Sequence, residues 1–192
     1  MNLSENEWNL ISNLFGRATF YCSFIPLVIG FWKRQFFSKS IRIFYFYLLI
    51  DLSIAFLIQS FIWVTIKYTD AIMPILQKLE IGDTNFFGIM YQINVVGVLG
   101  WYFYRVIPNT GIANAIKWVS RVLIFAMLIN YLFIEGFRGM GVFNPTVAAI
   151  CGFVFPLIHL WYLFRQDYQL VLSRNPYFWI ALGLVFSMLL GF

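Results

Sequence analysis

Six long, largely apolar stretches follow one another along this chain, separated by short polar connections. A helix needs about 20 mostly apolar residues to cross the ~30 Å hydrocarbon core of a bilayer, because in lipid every backbone N–H and C=O must be bonded inside the segment. The stretches lie at residues 15–32, 43–66, 86–104, 116–134, 147–164 and 177–192. They predict an all-α fold, a polytopic transmembrane helix bundle with about six spans.

The composition excludes a water-soluble globular protein. The 192 residues are 61% hydrophobic and only 11% charged, whereas soluble domains carry roughly 25% charged residues. No Gly/Ser-rich or charged linker interrupts the chain, so we expect residues 1–192 to form a single transmembrane helical domain. The net charge of +5 does not indicate a nucleic-acid partner, because the basic residues lie in short loops between apolar stretches.

The charged residues divide unevenly between the two sides of the predicted bundle. The first, third and fifth connections and their flanks carry one acid, Asp167, and nine basic residues: Lys33, Arg34, Lys39, Arg42, Arg105, Lys117, Arg121, Arg165 and Arg174. The N-terminal segment and the other connections carry six acids, Glu5, Glu7, Asp70, Glu80, Asp83 and Glu135, and four basic residues, Arg17, Lys67, Lys78 and Arg138. Because basic loops stay in the cytoplasm, we expect the N-terminus outside, and a multi-pass protein of the cell inner (cytoplasmic) membrane.

The segment TDAIMPILQKLEIGD, between the second and third stretches, has apolar residues at helical spacing. They are Ile72, Ile75, Leu76 and Leu79. The spacing predicts a short amphipathic helix on the outer surface, with Pro74 tolerated only in its first turn. A surface loop with scattered apolar residues is the alternative.

Small residues recur every four positions in the last two stretches. They are Gly183, Ser187 and Gly191 in the last stretch, and Ala148 and Gly152 in the fifth. Small residues let helix backbones approach closely in lipid, so we expect these faces to pack on another helix, within the chain or in a partner protein. Gly97 and Gly100 are expected to serve the third stretch in the same way.

The last stretch is apolar up to Phe192, with no basic anchor after it. Either the chain ends in the outer interface, or the natural protein continues. In the second case a seventh helix would return the C-terminus to the cytoplasm.

Asp51 and His159 are ionisable residues inside apolar stretches. At 1.5 Å per residue, Asp51 lies about 12 Å and His159 about 8 Å from the cytoplasmic boundary, so the two side chains could face each other in one inner layer. One interpretation is a proton-linked pair. In the other, Asp51 pairs with a nearby Arg or Lys, and His159 bonds a carbonyl near Gly152 or Phe155.

Four amide side chains lie in the outer half of the predicted bundle: Gln59, Gln92, Asn94 and Asn130. Amides inside membrane bundles commonly hydrogen-bond from one helix to the next, and the alternative is a ligand site. With Asp51 and His159 they would form two polar layers separated by apolar packing.

Several classes of enzyme and cofactor site are not supported by the residues present. His159 is the only histidine, so a HExxH zinc motif and a bis-histidine haem site are excluded. Cys22 and Cys151 lie in apolar stretches without metal-ligand spacing, and we interpret them as small packing residues. We expect no cofactor and no metal, and no catalytic residue is assigned.

Three segments carry a resemblance: NFFGIMYQINVVGVLGWYFYRVI, INYLFIEGFRGMGVFN and NPYFWIALGLVFSMLLG. Together they resemble a loosely defined group of short, uncharacterised polytopic bacterial membrane proteins. The shared features are an aromatic-rich third helix, a connection ending in Phe-Asn, and a last stretch of the form Pro-x-Phe-Trp-Ile. The resemblance implies a bacterial inner-membrane helix bundle and no particular activity.

Two functional hypotheses follow. The first is a non-enzymatic bundle that senses or relays a signal, or serves as a membrane subunit of a larger complex, with the lipid bilayer and a protein partner or a second copy as its contacts. The alternative is a small transporter or oligomeric pore with a proton-linked Asp/His pair, which needs the two polar layers to join into a continuous wet path.

Overall fold

The computed structural model describes residues 24–25, 27–33, 35, 37–78, 87–135, 141–165 and 174–190. Within these ranges 93% of residues are helical and no strand occurs, which confirms the all-α prediction. The helices are α1 (Lys39–Lys67), α2 (Thr69–Lys78), α3, α4 (Thr110–Ile129, continued by a π turn at Asn130–Ile134), α5 (Phe143–Arg165) and α6 (Pro176–Leu190). We use α3 for the uninterrupted succession of Gly88–Ile93, the π-helical Asn94–Leu99 and Gly100–Val106.

Three helices in the described ranges are long and apolar enough to cross a membrane: Lys39–Lys67, Thr110–Ile134 and Phe143–Arg165. Helix α6 is apolar but shorter. Of the predicted first stretch, only its C-terminal part lies among the described residues, where 27–33 is helical. That segment is held to α1 by the Tyr45 hydroxyl, which donates to the Leu27 carbonyl at 3.0 Å.

One end of the bundle carries most of the described basic residues. The Ser38 and Tyr177 hydroxyls, 2.8 Å apart, join the starts of α1 and α6. The rings of Phe44 and Tyr102, with centroids 5.5 Å apart, join the first part of α1 to the last part of α3. We call this the basic end; it carries Lys39, Arg42, Arg105, Lys117, Arg165 and Arg174.

At the opposite end of the bundle, the end of α1 contacts the start of α3, and the end of α4 contacts the start of α5. Phe61 and Phe87 make the first contact, with ring centroids 5.6 Å apart. Asn130 and Asn144 make the second contact: the Asn130 amide nitrogen donates to the Asn144 amide oxygen at 3.3 Å. We call this the acidic end, after Asp70 and Glu135.

Helix α3 forms the centre of the described bundle, packing on α1, α4 and α5. Its residues Val96, Leu99, Tyr102 and Phe103 are completely buried. Large apolar side chains also cover the outside, as at Phe125, which is 67% exposed. Apolar residues inside and outside together are expected of a bundle whose solvent is lipid.

Helix α2 confirms the helical prediction for 69–78 and corrects the position of Pro74. Helix α2 begins at Thr69, immediately after a turn at Tyr68, so Pro74 is its sixth residue and not in the first turn. Because proline has no N–H, the Asp70 carbonyl lacks its intrahelical donor. Most described side chains of α2 are exposed, and the predicted Leu79 lies outside the described residues.

The glycines differ in how closely other helices approach them. A Cβ at Gly100 would collide with the Ser120 side chain of α4, and one at Gly152 would lie 2.7 Å from the end of Met188 of α6. A Cβ at Gly183 would meet no described residue within 4 Å. Helix α6 packs inward through other residues, including the buried Ala181, Leu184 and Val185.

Candidate functional site

A cavity of about 530 Å³ opens between α1, α3, α5 and α6, in the half of the bundle nearer the acidic end. Its polar lining residues are Tyr47, Asp51, Tyr91, Gln92 and Ser187. Its apolar lining residues are Leu48, Val95, Pro145, Ala148, Ala149, Leu184 and Met188. We call it the Asp51 cavity.

Asp51 is the one ionisable carboxyl group that lines this cavity. Tyr47 precedes it by one helical turn on α1, so the two side chains share a face, and Tyr91 approaches from α3. Within the described ranges the Asp51 carboxylate has no ion pair and no hydrogen bond. A carboxylate in this setting can accept a proton or bind a cation.

The π-helical stretch of α3 begins beside the cavity, at Asn94. This side chain is 3% exposed, and its amide nitrogen donates to the Tyr47 carbonyl at 3.2 Å. Its amide oxygen is buried and has no hydrogen-bond partner in the described part of the chain. Asn94 therefore ties α3 to the turn of α1 that carries Tyr47 and Asp51, as expected for an amide that links helices. Single π turns inside α-helices are frequent at functional sites.

A second buried amide, Asn130, starts the π turn at the end of α4. Its nitrogen donates to Glu135 at 2.6 Å and to Asn144 at 3.3 Å. Glu135 also accepts the backbone N–H groups of Val142 and Phe143, both at 3.1 Å, at the start of α5. The hydrogen bond from Phe143, followed by those from Asn130 and Val142, lowers the pKa of Glu135 against a smaller opposing effect of desolvation.

His159 lies elsewhere in the bundle, on the part of α5 nearer the basic end. Its side chain is 1% exposed, and its ring lies 5.8 Å from that of Phe103 between centroids. Neither ring nitrogen has a hydrogen-bond partner among the described residues. The structure therefore does not join Asp51 to His159, and it shows no carbonyl bonded to His159.

The structure also places the two remaining polar candidates, Gln92 and Gln59, and some of the predicted packing residues. Gln92 and Ser187 line the Asp51 cavity, and Ala148 forms part of its apolar wall. The Ser187 hydroxyl donates to the Leu184 carbonyl of its own helix at 3.0 Å. Gln59 is exposed on α1, away from the cavity, and Gly191 lies outside the described residues.

Sequence reasoning missed the tyrosines of the cavity and the capping role of Glu135. The spacing of Tyr47 and Asp51, four residues apart on one predicted helix, was a signal for the first tyrosine. Tyr91 has no such signal, because its approach to Asp51 depends on how α3 packs on α1. Glu135 contacts α5 across a connection whose path the sequence does not reveal.

No group of three or more His, Cys, Asp or Glu side chains able to hold a metal occurs in the described part of the chain. Cys151 is a buried free thiol. Comparison of the chain with protein families, with curated proteins and with solved structures found no match. A function must therefore be argued from the geometry of the cavity.

Proposed function

We propose that this chain is a non-enzymatic, multi-pass membrane protein that recognises a small organic cation in the Asp51 cavity and relays its binding to a protein partner or a second copy. The observation that carries the proposal is the Asp51 carboxylate, which has no ionic or hydrogen-bonding partner among the described residues. A charge inside an apolar bundle costs several kcal/mol unless it is neutralised. A ligand cation would supply the missing partner.

The other cavity residues fit a cation that has an apolar body. A volume of about 530 Å³ lies within the ~300–1,000 Å³ of small-molecule sites. The Tyr47 and Tyr91 rings offer faces that attract a cation, and Gln92 offers a hydrogen-bonding group. Val95 and Met188 form part of the apolar wall.

A relay requires that binding act on an element that reaches beyond the site. Helix α3 is such an element, because it contributes Tyr91, Gln92 and Val95 to the cavity and continues to the basic end at Val106. Its π-helical stretch lies between these two parts. π turns interrupt regular α-helical bonding, so we place the conformational adjustment there.

The proposal includes six spans, an outside N-terminus and a location in the inner (cytoplasmic) membrane. Residues 88–106 of α3 cover about 28 Å at 1.5 Å per residue, close to the hydrocarbon thickness. The apolar α6 and the helical 27–33 segment supply the other two spans. The concentration of Lys and Arg at one end supports a cytoplasmic basic end.

Transport by the isolated protein is the alternative, and the core of the bundle favours the relay. A transport path would have to continue from the Asp51 cavity towards His159. Along that direction α3 places Val96, Leu99 and Phe103, each with 0% exposure. A continuous wet path needs polar lining or an opening at this level.

Binding can be tested by calorimetry with phenethylammonium, using 2-phenylethanol as the neutral ligand of similar shape. We expect phenethylammonium to bind and 2-phenylethanol to bind much more weakly. Asp51→Asn should weaken phenethylammonium binding by about thirty-fold, equivalent to about 2 kcal/mol, because it removes the charged partner. Gln59→Ala, on the same helix but away from the cavity, should leave binding unchanged. Equal affinity of wild type and Asp51→Asn would contradict the proposal.

The relay and transport hypotheses can be separated in liposomes that contain the purified protein alone. We expect no protein-dependent uptake of radiolabelled phenethylammonium. Uptake that is lost in Asp51→Asn would replace the relay with transport. Co-purification in mild detergent then identifies the partner or the second copy.

A further inference from the structure

A second cavity, of about 350 Å³, lies between the last part of α3 and the first half of α4. Three basic side chains line it: Arg105 from α3, and Lys117 and Arg121 from α4. No acidic residue is among its lining residues. We call it the basic cleft, and it is separate from the Asp51 cavity, since the two share no lining residue.

The three cations line one cleft, in which the described residues place no anionic partner. Lys117 and Arg121 are one turn apart on α4 and so share a face. Tyr104 lies between the two helices, with its ring centroid 5.1 Å from the Lys117 ammonium and 5.6 Å from the Arg105 guanidinium. None of the three forms an ion pair among the described residues. Their mutual repulsion would be relieved by a bound anion.

The lining of the cleft includes a hydrogen-bonding group besides the cations, the Ser120 hydroxyl. Gly97 and Gly100 of α3 line the cleft, so no α3 side chain covers those positions. The Ser120 side chain is 5% exposed, and its hydroxyl oxygen has no hydrogen-bond partner among the described residues. An unpartnered buried hydroxyl is unfavourable. A bound anion would accept its proton alongside those of the three cations.

The cleft extends from the middle of α3 and α4 towards the basic end of the bundle. Lys117 and Arg121 lie about 10 Å and about 16 Å along α4 from Thr110, and long basic side chains extend from such positions to the interface. Trp101, which also lines the cleft, is 47% exposed, as expected of an indole at a membrane interface. Phe125 follows Arg121 by one turn and is 67% exposed. An acyl chain can therefore lie on α4 directly beside the cations.

We propose that the basic cleft binds a phosphate-bearing anion, supplied by the headgroup of an anionic phospholipid in the leaflet at the basic end. Basic pockets between transmembrane helices are suited to such headgroups. Arginine can bond a phosphate through two parallel N–H groups, and Lys117 adds a point charge. The exposed apolar surface beside the cations favours a lipid over a soluble phosphate as the source.

The test measures retention of phosphatidylglycerol and of phosphatidylcholine on the full chain by native mass spectrometry after exchange in mixed micelles. We expect wild type to retain phosphatidylglycerol preferentially, and added salt to weaken this retention. Lys117→Gln and Arg121→Gln should each reduce the preference about five-fold. Arg174→Gln is the matched control, because it removes one positive charge at the same end outside the cleft.

Two further measurements keep the outcome decisive. Soluble glycerol phosphate is added to wild type in detergent; binding of glycerol phosphate without any preference for phosphatidylglycerol would reassign the anion to a soluble source. Wild type that retains neither anion above phosphatidylcholine would overturn the proposal, whatever the variants do. A preference lost equally in Arg174→Gln would overturn it as well, because net charge alone would then explain the retention.

Discussion

The Glu135 carboxylate lies between α4 and α5. It accepts three hydrogen bonds, more than any other acidic side chain among the described residues. It accepts from Asn130 and from the first backbone N–H groups of α5, which have no partner inside the helix. A carboxylate is favoured there because the helix dipole is positive at its N-terminus. Glu135 therefore adds to the Asn130–Asn144 hydrogen bond that joins the end of α4 to the start of α5.

Replacement of Glu135 by Ala should destabilise the folded protein by about 1 kcal/mol, the usual cost of losing a capping side chain. The pKa of Glu135 is lowered from its ordinary value of 4.5 by its hydrogen bonds. The stabilisation of the folded state by the Glu135 carboxylate is therefore fully present above pH 4.5. It is lost as the pH falls through the lower pKa that Glu135 has in the folded protein. Thermal unfolding in detergent should show a constant difference between wild type and Glu135→Ala near neutral pH, and a shrinking one below 4.5. A difference that grows on acidification would contradict the assignment.

At the scale of the elements, α3 and α4 approach each other closely and α6 presents one open face. The contact is made at Gly100, where the Ser120 side chain occupies the space that a Cβ would need. Gly183 of α6 has open space around it. The small-residue face of α6 is thus not covered at Gly183 by the described residues, and its packing on a partner protein stays a prediction.

The two glycines provide a matched pair of substitutions. Alanine is favoured over glycine in a helix by about 1 kcal/mol at either position. At Gly100 the collision with Ser120 should outweigh this gain and cost about 1–3 kcal/mol, whereas Gly183→Ala should not destabilise the protein. Unfolding temperatures of the two variants check this, and equal temperatures would mean that α3 and α4 do not touch at Gly100.

Gly183→Leu extends the comparison from folding to association. A bulky side chain there should leave the unfolding of the monomer unchanged, because nothing in the described chain opposes it. If the face packs on a partner or a second copy, the same variant should reduce the assembly size in mild detergent. An unchanged assembly would mean that this face meets lipid.

At the scale of the whole molecule, the two ends of the bundle differ in charge, and we predict the orientation of the bundle from that difference. Lys39 and Asp70 are exposed residues at the basic and acidic ends. In a variant with Cys22 and Cys151 replaced by Ala, Lys39→Cys should react only with membrane-permeant thiol reagents, and Asp70→Cys also with impermeant ones. The reverse result would invert the proposed topology. Reaction of both with impermeant reagents would rule out opposite ends.

Hydropathy was enough to predict an all-helical fold that contains apolar helices of membrane-spanning length. Whether a residue favours lipid or water depends mainly on its own side chain. Apolar stretches such as those that form α1 and α5 can therefore be recognised from the sequence. Asp51 likewise stands out, as a charge inside an apolar run. Depth arithmetic, at a constant rise per residue, predicted Asp51 in an inner layer and Gln92 in the outer half of the bundle. The structure instead brings Asp51 and Gln92 together in the lining of one cavity.

Tertiary packing decided which of these residues meet. The depth of a residue in the bundle does not determine which direction its side chain takes around the helix axis. That direction depends on how the helix packs on its neighbours. In α3 the π-helical stretch also shifts the faces of all later residues, and no hydropathy pattern marks it. Asp51 therefore faces Tyr91 and a cavity, while His159 lies against Phe103. Their separation, like the convergence of Arg105 on Lys117 and Arg121, follows from contacts between distant parts of the chain.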